Sequence, residues 1–294
     1  MIDKLEYFIA LAGERHFGRA AERLGVTQPT LSAGIRQLEE RLGVTLVNRG
    51  SRFQSLTAEG ERVLVWARRI IGDVRTMQDE LRIERQGLSG HLRLAVIPTA
   101  LAVVSRLTTP FLERHPHVTF EILSRTSAEI AAGIDNFEID LGITYRDEER
   151  PQRLDRRVLY AERYCLVTTR GNPFAERRSV TWDEAASIPL CLLTTTMQNR
   201  RILESYLQRA PERFGTVLES NSMIALIAQV RTGRFATIMP SRSAEMLGLA
   251  EPVRSIPLEA PDVSYDVALV RAVREPQPPL VASFWEEAAL VTLR

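Results

Sequence analysis

Apolar residues recur at helical spacing through the first part of the chain. Leu5, Phe8, Ile9 and Ala12 form one stripe, Ala20, Ala21 and Leu24 a second, and Leu31, Ile35, Leu38 and Leu42 a third; each marks a helix with one buried face. Gly25 suits the left-handed stop of the second helix, Thr27 the cap of the third, and Pro29 a first turn whose amides lack intrahelical partners. The piece "VTLVNRGSRFQSLT" places a Gly-Ser turn between strand-like arms. The predicted order over residues 1–58 is helix, helix, turn, helix, wing.

No proline occurs from Thr57 to Leu88, and Val63, Ala67, Ile70, Val74, Met77 and Leu81 recur at alternating steps of four and three. Arg68, Arg69, Asp73 and Glu80 fall outside that seam. The pattern predicts a dimerising linker helix over 59–89, about 45 Å long at 1.5 Å per residue; an amphipathic helix packed on its own domain is the alternative. "GLSGHLRLAVIPTA" ends it with glycines and begins a strand. From there strand-like runs ("VTFEIL", "IDLGITY", "RYCLVTT", "LCLLTT", "TVLES", "FATIMP", "YDVALVR") alternate with helices from Ser127, near Asn199, from Ser222 and around Trp285. Such alternation predicts α/β units with parallel sheets, in two lobes. Lobe I takes about 90–160 and 265–294, lobe II about 161–264. The fold class is thus mixed: an N-terminal all-α winged helix-turn-helix with a linker helix, then a two-lobed α/β domain over 90–294.

Composition narrows the partners. The 294 residues, 45% hydrophobic, suffice for more than one core, and a formal net charge of +1 excludes a globally basic protein. Any nucleic-acid contact must come from a local patch. Cys165 and Cys191 sit in apolar, strand-like runs and read as buried small hydrophobes; the alternative is a thiol redox switch, which needs an exposed thiol of low pKa. Of His16, His91, His115 and His117 only the last two are close, in what reads as a surface turn, so no metal site is expected. The chain lacks G-x-S-x-G, H-E-x-x-H and a phosphate-cradling G-K-[ST] loop, which points away from an enzyme and from any cofactor. It has no leader-like start and no apolar run of spanning length, so a soluble, cytoplasmic protein with no membrane partner is expected.

The third helix opens on small or hydrogen-bonding residues, Gln28, Pro29, Thr30 and Ser32, while Leu31, Ile35 and Leu38 form its packing face. A helix laid in the DNA major groove needs that division, because its first turns must approach base edges. Arg36, with Arg49 and Arg52 in the wing, is placed to meet phosphates or a minor groove. Any small helical bundle shares the spacing. The run "FIALAGERHFGRAAERLGVTQPTLSAGIRQLEERLGVTLVNRGSRFQSLTAEG" nevertheless matches a known pattern through its "AA" pair, "TQPTLS", "IRQLEERLG", the wing arginine and "LTAEG". It resembles the winged helix-turn-helix of LysR-type transcriptional regulators.

That resemblance implies base or backbone contacts by Gln28, Pro29, Thr30 and Ser32, with Arg52 in the wing. It implies double-stranded DNA carrying an interrupted inverted repeat at a promoter, a homodimer or homotetramer, RNA polymerase as a partner, and an effector domain of periplasmic-binding-protein type. "ERHPHVTFEI" and "EIDLGIT" look like landmarks of its first lobe. "LVNR" and "TGRFATIMP" depart from the family pattern, the latter suggesting a bulkier cleft wall.

Effectors of α/β lobes bind at strand ends. Pro98 and Thr99 end the first strand, Ser127 opens a helix, Asn221 and Ser222 precede another, and "TTTMQNRR" brings Thr195, Gln198, Asn199 and Arg200 to a helix start. Helix N-termini bearing hydroxyls and amides favour a small carboxylate or anion, such as formate or cyanate; each residue also reads as a simple cap. The rival functions are a solute-binding transport component and a small-molecule enzyme on an α/β fold.

Overall fold

The computed structural model describes residues 1–49, 53–146, 154–211 and 214–291. The chain forms two compact units, one mainly of Met1–Gly87 and the other of most of the chain from Leu88 onward.

The first unit contains α1 (Ile2–Glu14), α2 (Phe17–Arg23), α3 (Gln28–Leu42), the antiparallel pair β1 (Val47–Arg49) and β2 (Phe53–Leu56), and α4 (Ala58–Gln86). The stripes of the three short helices converge: Leu5, Phe8, Leu11, Ala20, Ala21, Leu31, Ile35 and Leu38 share a core with Leu46 and Val47. Thr27 caps α3, accepting from the Thr30 amide at 3.3 Å, and Gly43 ends it in the left-handed conformation at φ 69°. Gly34 lets α3 lie close on α1, since a Cβ there would stand 2.6 Å from Tyr7 Cδ2.

Helix α4 carries two apolar faces. Leu64, Ala67 and Ile71 bury into the N-terminal core, whereas Ile70, Met77 and Leu81 are exposed, the last two at 54% and 66%. Of the six seam positions only Ala67 is buried. The first half therefore packs on its own domain, one position off the heptad face.

The second unit runs β3 (Ser89–Val96), a 3-10 turn (Pro98–Val103), α5 (Ser105–Arg114), β4 (His117–Ser124), α6 (Ser127–Asp135), β5 (Leu141–Tyr145) and β6 (Leu154–Glu162). It continues with β7 (Tyr164–Thr169), β8 (Val180–Thr181), α7 (Trp182–Ala186), β9 (Leu190–Leu193), α8 (Gln198–Leu207), β10 (Thr216–Ser220) and α9 (Met223–Val230). It ends with β11 (Thr237–Pro240), α10 (Ser241–Met246), β12 (Val253–Glu259), β13 (Tyr265–Ala272) and α11 (Pro279–Leu290). Lobe I is built on a five-stranded sheet, order β4-β3-β5-β13-β6; lobe II has a four-stranded sheet, β11-β7-β12-β8, and the pair β10-β9.

The sheets are mixed rather than parallel. β3 runs parallel to β4 and β5, and β9 to β10, but β13 is antiparallel to β5 and β6, and β7 to β11 and β12. The chain leaves lobe I along β6 and enters lobe II as β7 with only Arg163 between them, then returns from β12 to β13. Strands that cross between lobes join each sheet without the helical return that makes neighbours parallel. No helix of the described residues is long and apolar enough to cross a membrane.

Candidate functional site

The N-terminal candidates gather on one face. Gln28, Pro29, Thr30 and Arg36 are exposed and Ser32 is half-buried, while Leu31, Ile35 and Leu38 on the opposite side are buried. Thr27 and Thr30 share a hydroxyl hydrogen bond of 2.8 Å, which orients the first turn without hiding it. Ala33 and Gln37 also lie exposed on this strip, at helical spacing from Pro29 and Thr30; that spacing was the available signal for including them. Arg49 ends β1, and Arg52 lies outside the described residues. Small side chains on an exposed first turn, backed by a rigid core, give a surface able to enter a DNA groove.

In the second unit the candidates separate by role. Thr99 and Asn199 come together on one group: the Tyr145 hydroxyl, at the end of β5, accepts from Asn199 Nδ2 at 3.1 Å and lies 3.3 Å from Thr99 Oγ1. It donates in turn to Glu162 Oε1, at the end of β6. Pro98 begins the 3-10 turn and is buried, and the Thr99 carbonyl accepts from Ser243 of α10. Thr126, one residue before the predicted Ser127, caps α6 by reciprocal bonds with Glu129 at 3.2 and 2.8 Å. The buried Ser127 Oγ is thereby left with no hydrogen-bond partner.

Ser222 does act as a cap, accepting from the Ala225 amide at 3.4 Å. Asn221 and Thr195 are exposed, and Gln198 opens α8 half-buried. Arg200 is turned away into lobe II, donating to Glu204 at 3.0 Å, Glu219 at 2.6 Å, the Leu193 carbonyl at 2.9 Å and Thr216 at 3.1 Å. Its charge is neutralised there. Phe235, from the stretch read as a bulky cleft wall, packs against the lobe II core, which absorbs its bulk.

Burial dominates the electrostatics. Glu162 is fully buried and its carboxyl is pushed up to about 7 by desolvation, opposed by the hydroxyls of Tyr145 and Tyr164. Burial and the Glu162 charge push the Tyr145 hydroxyl well above its ordinary range. Burial also raises the Cys165 thiol to about 12 and Cys191 to about 11. Tyr145 and Glu162 were not among the sequence candidates; for Glu162 the available signal was its even spacing with Tyr160 and Tyr164 across the strand junction. Among the described residues no group of three or more His, Cys, Asp or Glu could hold a metal ion.

Known proteins share this architecture. Residues 2–61 match the family model described as bacterial regulatory helix-turn-helix protein, lysR family, and residues 85–290 match the LysR substrate binding domain. The hydrogen peroxide-inducible genes activator of Dickeya chrysanthemi is 28% identical over 270 residues, covering 92% of this chain and 88% of its own length. The transcriptional regulator AlsR of Bacillus subtilis is 27% identical over 248 residues, covering 83% and 82%. Among solved structures, full-length OxyR from Pseudomonas aeruginosa superposes with a TM-score of 0.79 at 23% identity, covering 99% of this chain and 95% of that one. Full-length CbnR in complex with its target DNA gives 0.71 at 23% identity, covering 99% of each. With an exposed reading helix in one matched region and a two-lobed effector-binding domain in the other, the chain belongs to the LysR family of DNA-binding transcriptional regulators.

Proposed function

We propose that α3 reads an interrupted inverted repeat at a promoter, with Gln28, Pro29, Thr30 and Ser32 toward the bases and Arg36, Arg49 and Arg52 toward the phosphates or minor groove. The exposed Met77 and Leu81 of α4 support pairing into a homodimer, and two such pairs make the homotetramer. The protein acts in the cytoplasm, contacts RNA polymerase and catalyses no reaction. Effector binding between the lobes favours one arrangement of the paired heads, which requires different affinity for the two arrangements.

The observation that carries the effector reading is the orphaned Ser127 hydroxyl, buried at the start of α6 after Thr126 has taken the cap. A buried hydroxyl without a partner is destabilising unless a ligand or water completes it. We assign Pro98, Thr99, Thr195, Gln198, Asn199, Asn221 and Ser222 to the same cleft, as polar residues and turns at strand ends and helix starts. A small carboxylate or anion such as formate or cyanate is held there by neutral donors, because Arg200 is committed to Glu204 and Glu219. A peroxide response, of the kind in the names of some relatives, is the weaker reading, since both thiols are buried and held above their ordinary pKa.

A gel shift on the DNA upstream of the protein's own gene, at moderate salt with random duplex as competitor, tests the DNA reading; no specific shift rejects it. Repeating it with formate and with cyanate on wild-type and Ser127→Ala/Asn221→Ala protein tests the cleft. A change of operator affinity in wild type that the double variant lacks supports the site, and an equal change in both removes it.

A further inference from the structure

The reading helix closes on an acid whose charge does nothing for the helix itself. Glu39 lies in the last turn of α3, where the helix dipole disfavours a carboxylate, and it is half-buried. What offsets that placement is the chain that follows. The Glu39 carbonyl accepts from the amides of Gly43 and, at 3.2 Å, Val44; its carboxylate Oε1 accepts from those of Leu46 at 2.9 Å and Val47 at 3.3 Å. One residue thus holds four of the five amides from 43 to 47.

Those amides form the root of the wing. β1 and β2 make a two-stranded hairpin, which has little stability of its own and takes its direction from whatever anchors its base. The Leu46 and Val47 side chains are buried in the N-terminal core, which fixes how deep the root sits. Apolar packing is non-directional, and Gly43, left-handed at φ 69°, gives the connection a joint. Two hydrogen bonds to one carboxylate oxygen supply the direction. On its other side the Leu46 carbonyl accepts from the Thr57 amide at 3.0 Å, and the Thr57 hydroxyl donates to the Thr45 carbonyl at 2.7 Å. Leu46 is therefore pinned between the reading helix and the residue that precedes α4. Asn48, next along, is exposed and bonds within the hairpin, to Ser55 Oγ at 2.9 Å.

We propose that Glu39 is a positioning residue for DNA recognition: without touching DNA, it holds the Leu46 and Val47 amides and so sets the wing at the angle to α3 that lets both meet one duplex together. The proposal rests on the groove reading above, in which Gln28 to Ser32 meet bases and Arg49 and Arg52, two and five residues beyond Val47, meet phosphates or the minor groove. Contacts made by two elements on one duplex reinforce each other only when the elements are held in the bound arrangement beforehand. The sign of removing the acid is informative. A carboxylate acting through its charge repels DNA, so its loss strengthens binding; one acting through its hydrogen bonds supports the wing, so its loss weakens binding.

The test footprints the full-length protein on the DNA upstream of its own gene, with dimethyl sulfate for guanines in the major groove and hydroxyl radical for the flanking backbone. Glu39→Ala should keep the guanine protection under α3, lose the flanking protection under the wing, and lower the salt slope of binding by about 1 to 2, the share of the wing arginines. Glu39→Gln, whose amide oxygen can accept from the same two amides, should keep both footprints and bind at least as tightly as wild type. In a double-mutant cycle, Arg49→Ala should weaken wild type and Glu39→Gln yet cost Glu39→Ala nothing further. Tighter binding or an unchanged wing footprint in Glu39→Ala, loss of both its footprints together, loss of the wing footprint in Glu39→Gln, or additive losses with Arg49→Ala would each overturn the positioning role while leaving the groove reading in place. A wild type with neither footprint removes the groove reading and this proposal with it.

Discussion

Arg200 donates to Glu219 at 2.6 Å within lobe II, tying the first turn of α8 to β10. A guanidinium this buried, also bonded to Glu204, Thr216 and a backbone carbonyl, is part of the lobe's framework. Arg200→Ala should therefore lower unfolding free energy by about 2 kcal/mol, the scale of losing hydrogen bonds to a charged group. Urea titration measures it; unchanged stability with a lost effector response would return Arg200 to the binding cleft.

Stability should depend on pH through Glu162. Its carboxyl is raised in the fold from 4.5 to about 7, so the folded state binds the proton more tightly than the unfolded chain. That contribution is complete below about pH 4.5, declines as pH rises and is lost above about 7, a change of about 3 kcal/mol at 1.36 kcal/mol per unit. Denaturant midpoints of wild type and Glu162→Gln compared at both ends of that window check it, and the difference between the two proteins should shrink or reverse at the alkaline end.

On the reading helix, Gln28→Ala should cost about 1–3 kcal/mol of discrimination between operator and random duplex while pairing of the chains persists. Arg36→Ala should weaken both duplexes alike and reduce the salt slope of binding by about 1. Fluorescence anisotropy across a salt series distinguishes them; equal losses on both duplexes for Gln28→Ala would deny it a base-reading role.

Gly60, in the first turn of α4, faces a backbone oxygen: a Cβ would stand 2.2 Å from the Leu46 carbonyl. Gly60→Ala should destabilise the first unit by about 1–3 kcal/mol, because a backbone atom cannot swing aside as a side-chain tip can. Thermal unfolding followed at helical wavelengths would show it, and an unmoved transition would mean that α4 can shift on the wing.

Both thiols should react slowly. With Cys165 raised to about 12 and Cys191 to about 11 by burial, little thiolate exists near neutrality. Native protein should resist a disulfide-exchange reagent until denatured, and operator binding should be indifferent to hydrogen peroxide. Rapid stoichiometric labelling of the folded protein would revive the redox reading.

The three short helices were readable because their stripes, the Thr27 cap and the Gly25 stop, left-handed at φ 67°, all agree. Which residues of α4 turn inward was not, because "RVLVWARRII" offers two adjacent apolar faces, and only the fold shows Leu64, Ala67 and Ile71 in the N-terminal core with Ile70 left exposed. Strand direction was hidden for a similar reason: alternation marks a strand but not which way its neighbour runs. Of the cleft, Thr99 and Asn199 were visible as polar residues at element ends, yet their common partner Tyr145 sits in a fully buried strand. Arg200 was misleading because its Glu219 contact exists only once α8 and β10 are brought together.

Leu64, Ala67 and Ile71 weld the near half of α4 to the reading head, so head and shaft must turn as one piece. With 29 residues the shaft is about 43 Å long. A tilt of about 5° at its far end therefore sweeps the head through about 4 Å, close to the rise of one base pair. On the paired arrangement proposed above, gearing of that kind would let a small adjustment far from the DNA change which half-sites two heads grip at once.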